Sequence, residues 1–188
     1  MNIVEAMKLP LQLGELRAEF GRAGSEAQRL TAGLGDAGLW QRPPDGGWSV
    51  GECLAHLNLA GEPYLAKMRV AAADARARGR TGAGPFAFGF LGGRFVRSLS
   101  GESKTKFRAP KAWLPEPQAD VLGRFGRLQA GLADLAAEAD GLDLGRVTVA
   151  SPVSPLVRLS LFEALNLVAA HEDRHLRQAA RVWAAQGG

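Results

Sequence analysis

Four stretches of this 188-residue chain carry apolar residues every three or four positions, and none alternates polar with apolar long enough to make a strand. The first spans residues 11–34, with Leu13, Leu16, Phe20, Ala23, Ala27 and Leu30 on one stripe. The second covers 49–79, the third 118–139 around Val121, Leu122, Phe125, Leu128, Leu132 and Leu135, and the fourth 160–185. Helices of ~20–30 residues are ~30–45 Å long, and stripes of that length bury one another by lying side by side. The expected fold is therefore all-α, a four-helix bundle formed as a single domain over residues 1–188. With 46% hydrophobic and 22% charged residues the chain has material for one core, which excludes disorder throughout.

Local signals set the helix limits. Ser49-Val50-Gly51-Glu52 and Ser160-Leu161-Phe162-Glu163 both have the S-x-x-E spacing of a capping box, which opens the second and fourth helices. Gly14, Gly21 and Gly24 weaken the first helix, so packing must hold it. Residues 35–48, containing Pro43-Pro44-Asp45-Gly46-Gly47, read as turn, and Pro63 predicts a bend in the second helix. Residues 80–117 form a long connection between helices two and three, punctuated by glycine and proline, with a short helix predicted near 88–99. A connection of that length crosses a bundle or covers a site. Ser151-Pro152 and Ser154-Pro155 mark the loop before the fourth helix.

Charge excludes less than its sum suggests. The net charge is +4, and of 23 basic residues only five are lysine (Lys8, Lys67, Lys104, Lys106, Lys111), the arginines being spread over every segment. The densest group, Arg76, Arg78 and Arg80, sits where cations complement a helix end, and falls short of a phosphate-tracking groove. No nucleic-acid partner is expected. No apolar run reaches membrane-spanning length, and residues 1–10 lack the pattern of a secretory signal. One cysteine, Cys53, cannot form an intramolecular disulfide. The expectation is a cytoplasmic protein with no membrane contact.

The three histidines are the informative residues. His171 and His175, four apart on a helix, lie ~40° apart around the axis and ~6 Å along it, so both rings can reach one ion. A divalent ion held tightly wants at least three such donors, and His56 on the second helix is the remaining candidate. His171-Glu172-Asp173-Arg174-His175 is also a literal H-E-x-x-H, the zinc-protease helix. That reading is rejected: no Asp, Glu, Cys or further His follows His175, and the strands expected before such a helix are missing. From spacing alone, the histidines fit either a metal site or polar residues at the bundle edge.

Around these histidines the sequence reads Trp48-Ser49-Val50-Gly51-Glu52-Cys53-Leu54-Ala55-His56-Leu57 and His171-Glu172-Asp173-Arg174-His175-Leu176-Arg177-Gln178. The two segments, in this order and separation, together with the Pro-rich connection before the third helix, resemble the DinB/YfiT-like superfamily of bacterial metalloproteins. The resemblance implies an up-down-down-up bundle in which His56, His171 and His175 bind zinc, nickel or a similar divalent ion. It also implies a homodimer, and a place among thiol-dependent transferases using bacillithiol, mycothiol or glutathione, or beside a thiol-dependent maleylpyruvate isomerase.

Three neutral donors leave an ion its full charge and an open position, which suits activation of a low-molecular-weight thiol or water for attack on a small electrophile. The expected activity is S-transferase or hydrolase chemistry on a small-molecule substrate. The alternative is a noncatalytic metal-binding bundle serving in a stress response or binding a partner. Imidazole suits zinc and nickel, with iron, manganese and copper as further candidates. Glu52, four before His56, is a candidate to orient that ring, or else caps its helix. Arg174 and Gln178 are candidates to line the pocket or bind an anionic group. Glu163 reads as a cap, and Cys53 as a small buried hydrophobe rather than a ligand. Trp40, Trp48, Trp113 and Trp183 read as core or interface anchors, Trp48 also belonging to the motif.

Overall fold

Both serine caps work as the spacing predicts. In the computed structural model, which describes residues 10–44, 46–99, 109–154 and 156–187, Ser49 Oγ accepts from Glu52 N at 3.1 Å while Glu52 Oε2 accepts from Ser49 N at 2.9 Å. Ser160 and Glu163 repeat the exchange at 3.1 and 2.9 Å. Lys8, Asp45, Lys104, Lys106, the remainder of residues 100–108 and Pro155 lie outside the described residues.

The chain forms α1 (Leu13–Thr31), α2 (Asp36–Trp40), α3 (Val50–Ala77), α4 (Phe90–Leu99), a 3-10 turn at Lys111–Trp113, α5 (Val121–Glu138), strands β1 (Thr148–Ala150) and β2 (Arg158–Ser160), and α6 (Leu161–Ala185). The four long helices match the four predicted stripes. α1 stops short of residue 34 because Ala32 leaves helical geometry and Gly33 turns left-handed at φ +80°. α3 runs as one helix through Pro63.

Two expectations need amending. Residues 35–48, read as turn, contain the single turn of α2. The all-α reading gains an antiparallel hairpin pairing Thr148 with Ser160, Val149 with Leu159 and Ala150 with Arg158. Three residues per strand are too few for alternation to show, and the pairing survives because Val149 and Leu159 both point into the core. Its second strand ends on Ser160, the cap of α6, so the hairpin delivers the chain directly into the last helix.

α1 lies against α5 and α6, and α3 against the same two helices, giving the cyclic order α1, α5, α3, α6. Phe20, Phe125 and Phe162 are fully buried from three of them, with Leu16, Leu54, Leu132 and Leu161 filling between. Each such side chain contributes roughly 1.5–3 kcal/mol by leaving water, which offsets the weak intrinsic helicity of the glycine-bearing segments. Close approach of α3 and α5 depends on Gly61, where a Cβ would lie 2.6 Å from Leu128 Cδ2. α4 packs on α6, and the 3-10 turn on α3, so the long connection covers the helix pair that carries the histidines. At the other end of the chain Asn166 of α6 clasps the backbone of Leu11, accepting from its N–H at 2.7 Å and donating to its carbonyl at 3.0 Å.

Candidate metal centre

His56 stands at the second turn of α3, held at that phase by the Ser49 cap, and His171 and His175 stand on adjacent turns of α6. Because α3 packs on α6, the three rings meet, with centroid separations of 5.0, 4.7 and 4.7 Å. One nitrogen from each lies within 4.8 Å of the others, a group that can hold a metal ion. His56 Nε2 and His171 Nε2 are 3.2 Å apart. Two nitrogens each at ~2.0–2.1 Å from one ion sit roughly 2.8–3.4 Å apart in octahedral or tetrahedral geometry, so this pair already has the spacing of two ligands of one ion.

Two of the three outer nitrogens are committed elsewhere. His56 Nδ1–H donates to the carbonyl of Trp113 at 2.7 Å, leaving the Nε2 lone pair facing His171. His175 Nδ1 donates to Gln178 Oε1 at 3.1 Å. Trp48 tilts over His56 at 4.8 Å and stacks on His175 at 5.5 Å, fixing both ring planes from one side. Hydrogen bonds of this kind choose the tautomer and direct the free lone pair inward.

Burial keeps all three rings neutral. It lowers His56 against the opposing pull of the Trp113 carbonyl. His171 is driven well below the ordinary histidine value by burial and then by the charges of His175, His56 and Arg174. His175 falls to about 3, through burial first and His56 next, with Gln178 opposing and Arg174 adding. Neutral imidazole is the form that binds a metal, so no proton need be displaced near neutral pH.

The predicted supporting residues separate. Gln178 holds His175, and Arg174 lines the same cavity. Glu52 does not orient His56: its oxygens take Ser49 N and the guanidinium of Arg42, the latter through Nε at 2.9 and 3.0 Å. Burial pushes the Glu52 carboxyl up, but Arg42 and Ser49 outweigh it and hold the group below its ordinary value. Glu52 is a cap because the box turns its side chain back toward the helix start, away from the ring one turn on. Glu163 is likewise a cap, and also accepts from Gly89 N at 2.9 Å, pinning the long connection. Cys53 is fully buried outside the histidine group, its thiol pushed up to about 12 by burial with Glu52 adding. Of the tryptophans, Trp48 and Trp113 belong to the site rather than to packing alone.

Two features escaped the sequence reading. The Trp113 carbonyl comes from a 3-10 turn in the connection, and a backbone acceptor has no residue signature. Glu172, beside His171, turns away from the cluster and accepts from Gln129 Nε2 at 2.8 Å. Burial pushes its carboxyl up to about 8, with Gln129 opposing and Glu19 adding.

The histidines open onto a cavity of about 660 Å³ between α3, α4, α6 and the 3-10 turn. Long helices packed as a bundle, with three imidazoles from two of them converging at one end of a cavity, define a helical bundle with a candidate metal centre. The chain belongs to the DinB superfamily, whose family model matches residues 19–179. Comparisons with curated proteins and with solved structures give no match.

Proposed function

We propose that His56, His171 and His175 bind one divalent ion, zinc or nickel first, and that the protein uses it to activate a low-molecular-weight thiol or water toward a small electrophile. The observation that carries the reading is the convergence of three neutral imidazoles, two of which, His56 and His175, have their outer nitrogens engaged by Trp113 and Gln178. An ion so held supplies Lewis acidity and lowers the pKa of a thiol or water coordinated at its open position.

The chain's own residues supply the rest. Trp48 and Gln178 keep the rings in place, and the cavity wall excludes bulk water from one side of the reacting group. Arg174 offers a cation near the histidines, suited to an anionic group on thiol or electrophile. Superfamily membership supports an up-down-down-up arrangement of α1, α3, α5 and α6 and a homodimer with a small molecule, not nucleic acid, as partner. Among the described residues no helix is long and apolar enough to cross a membrane, and the cytoplasm is the proposed place of work.

Elemental analysis of protein purified without an affinity tag, beside a His171→Ala variant, tests the first half. About one ion per chain is expected, and the variant should lose it. Turnover of thiol and electrophile panels by the metal-loaded protein tests the second. Equal metal content in both proteins overturns the site, and turnover indifferent to metal overturns the activity.

A further inference from the structure

The cavity is sharply divided in chemistry along its length. On α3 its wall is formed by His56, Leu57, Ala60, Gly61 and Tyr64, a spacing that keeps one helix face against the cavity for more than two turns. Eight residues from His56 to Tyr64 advance ~12 Å along the axis. The polar lining is gathered at the histidine end, with Glu172, Arg174 and Gln178 on α6. Away from it, α6 presents Leu167 and Val168, α4 presents Phe95 and Leu99, and Val153 stands near Tyr64 through Ser151, whose Oγ accepts from Val153 N. The one hydroxyl on the far wall already has a protein partner, since Tyr64 Oη pairs with the buried Ser151 Oγ at 2.9 Å. Among the described residues, no charged side chain lines the cavity beyond its histidine end.

A cavity of this shape discriminates by desolvation. A polar or charged tail laid along it loses its water and finds too few polar groups to replace it, whereas each apolar group buried there gains. The enclosed volume admits a ligand of drug-like size, within the usual range for small-molecule sites. We infer that the ligand of this cavity is an elongated molecule with a polar, electron-donating head at the histidines and an uncharged, apolar tail running ~12 Å toward Tyr64.

This deepens the proposed function by naming the class of its electrophile or thiol: a molecule with an alkyl or aryl tail rather than a sugar-like or polyanionic one. It rests on that reading only for the head, because the tail site is made by side chains that no ion touches. Val153 sets the preference at the tail end, and it is substantially exposed, at 54%, so changing it leaves the core intact.

The test is a series of straight-chain hydroxamic acids from two to eight carbons. They are titrated into zinc-loaded and into chelator-treated protein, and followed by calorimetry and by the fluorescence of Trp48 and Trp113. Affinity should rise roughly fourfold per methylene in both forms, the zinc-loaded form binding every member more tightly. Val153→Asp should flatten the dependence on chain length while leaving the two-carbon member unaffected. Affinity independent of chain length in both forms overturns the inference, as does a slope that survives the substitution. A slope retained in both forms with no gain from zinc supports the tail site and refutes the metal reading instead.

Discussion

Replacing Glu172 with glutamine should make the protein's stability less dependent on pH. The Glu172 carboxyl is 2% exposed and accepts one bond from Gln129, yet its Oε2 and the Gln129 Oε1 are both buried without a donor. Two acceptors cannot satisfy each other. A proton on Oε2 can donate to Gln129 Oε1, closing an acid–amide ring with two hydrogen bonds, and burial pushes the carboxyl up to about 8 in the direction this requires. The ordinary value is 4.5. A raised folded pKa means that the folded protein keeps a proton which the unfolded chain releases. The stabilisation is complete below 4.5 and is lost as pH rises through 8. Across that window the loss is about 1.4 kcal/mol per pH unit, or about 5 kcal/mol in all, a large share of a typical domain's 5–15 kcal/mol. Glutamine has the donor and the acceptor of the protonated acid but does not titrate. Urea unfolding of chelator-treated wild type and Glu172→Gln at pH 5, 6, 7 and 8 should show the variant gaining on the wild type by about 1.4 kcal/mol per unit. The histidines titrate alike in both proteins and cancel. Parallel stability curves would refute the reasoning.

Three further outcomes follow from the site. Gln178→Leu, which frees His175 Nδ1, should weaken zinc binding about 10–100-fold, and His171→Ala, which removes a donor, should weaken it more, both read by competition with a chromophoric chelator. Glu52→Ala should leave zinc affinity unchanged while lowering unfolding free energy by about 1 kcal/mol, because its bonds go to Ser49 and Arg42. Cys53, buried with its thiol pushed up to about 12, should resist Ellman's reagent in the native protein at pH 8 and react at once in denaturant; rapid native labelling would show that α3 opens there.

What the sequence made legible was whatever depends on one helix at a time. The S-x-x-E boxes are local, so Ser49 and Ser160 could be placed at their helix starts. The i, i+4 relation of His171 and His175 is a property of α-helical pitch. His56 could be added because three donors are needed and the chain has three histidines. What stayed hidden depends on how elements are phased against each other. The Trp113 carbonyl reaches His56 across 57 positions, and Gln129 meets Glu172 only because α5 and α6 present those faces together. Glu52 was ambiguous for a related reason: its spacing fits both a cap and a ring support, and only Arg42, from a loop ten residues earlier, draws it to the cap. The hairpin and α2 were too short for any periodicity to register.

The clasp between Asn166 and Leu11 also bears on how the protein is made. Its two partners are 155 residues apart in the chain, and a ribosome adding ~5–20 residues per second needs roughly 8–30 s to bridge them. During that interval the faces that α1 and α3 will turn toward α6 have no cover on the nascent chain. Closure must await the emergence of α6, which brings the fastening asparagine and two of the three imidazoles in one piece. Chaperone contact with the newly made chain should therefore persist until that helix has emerged.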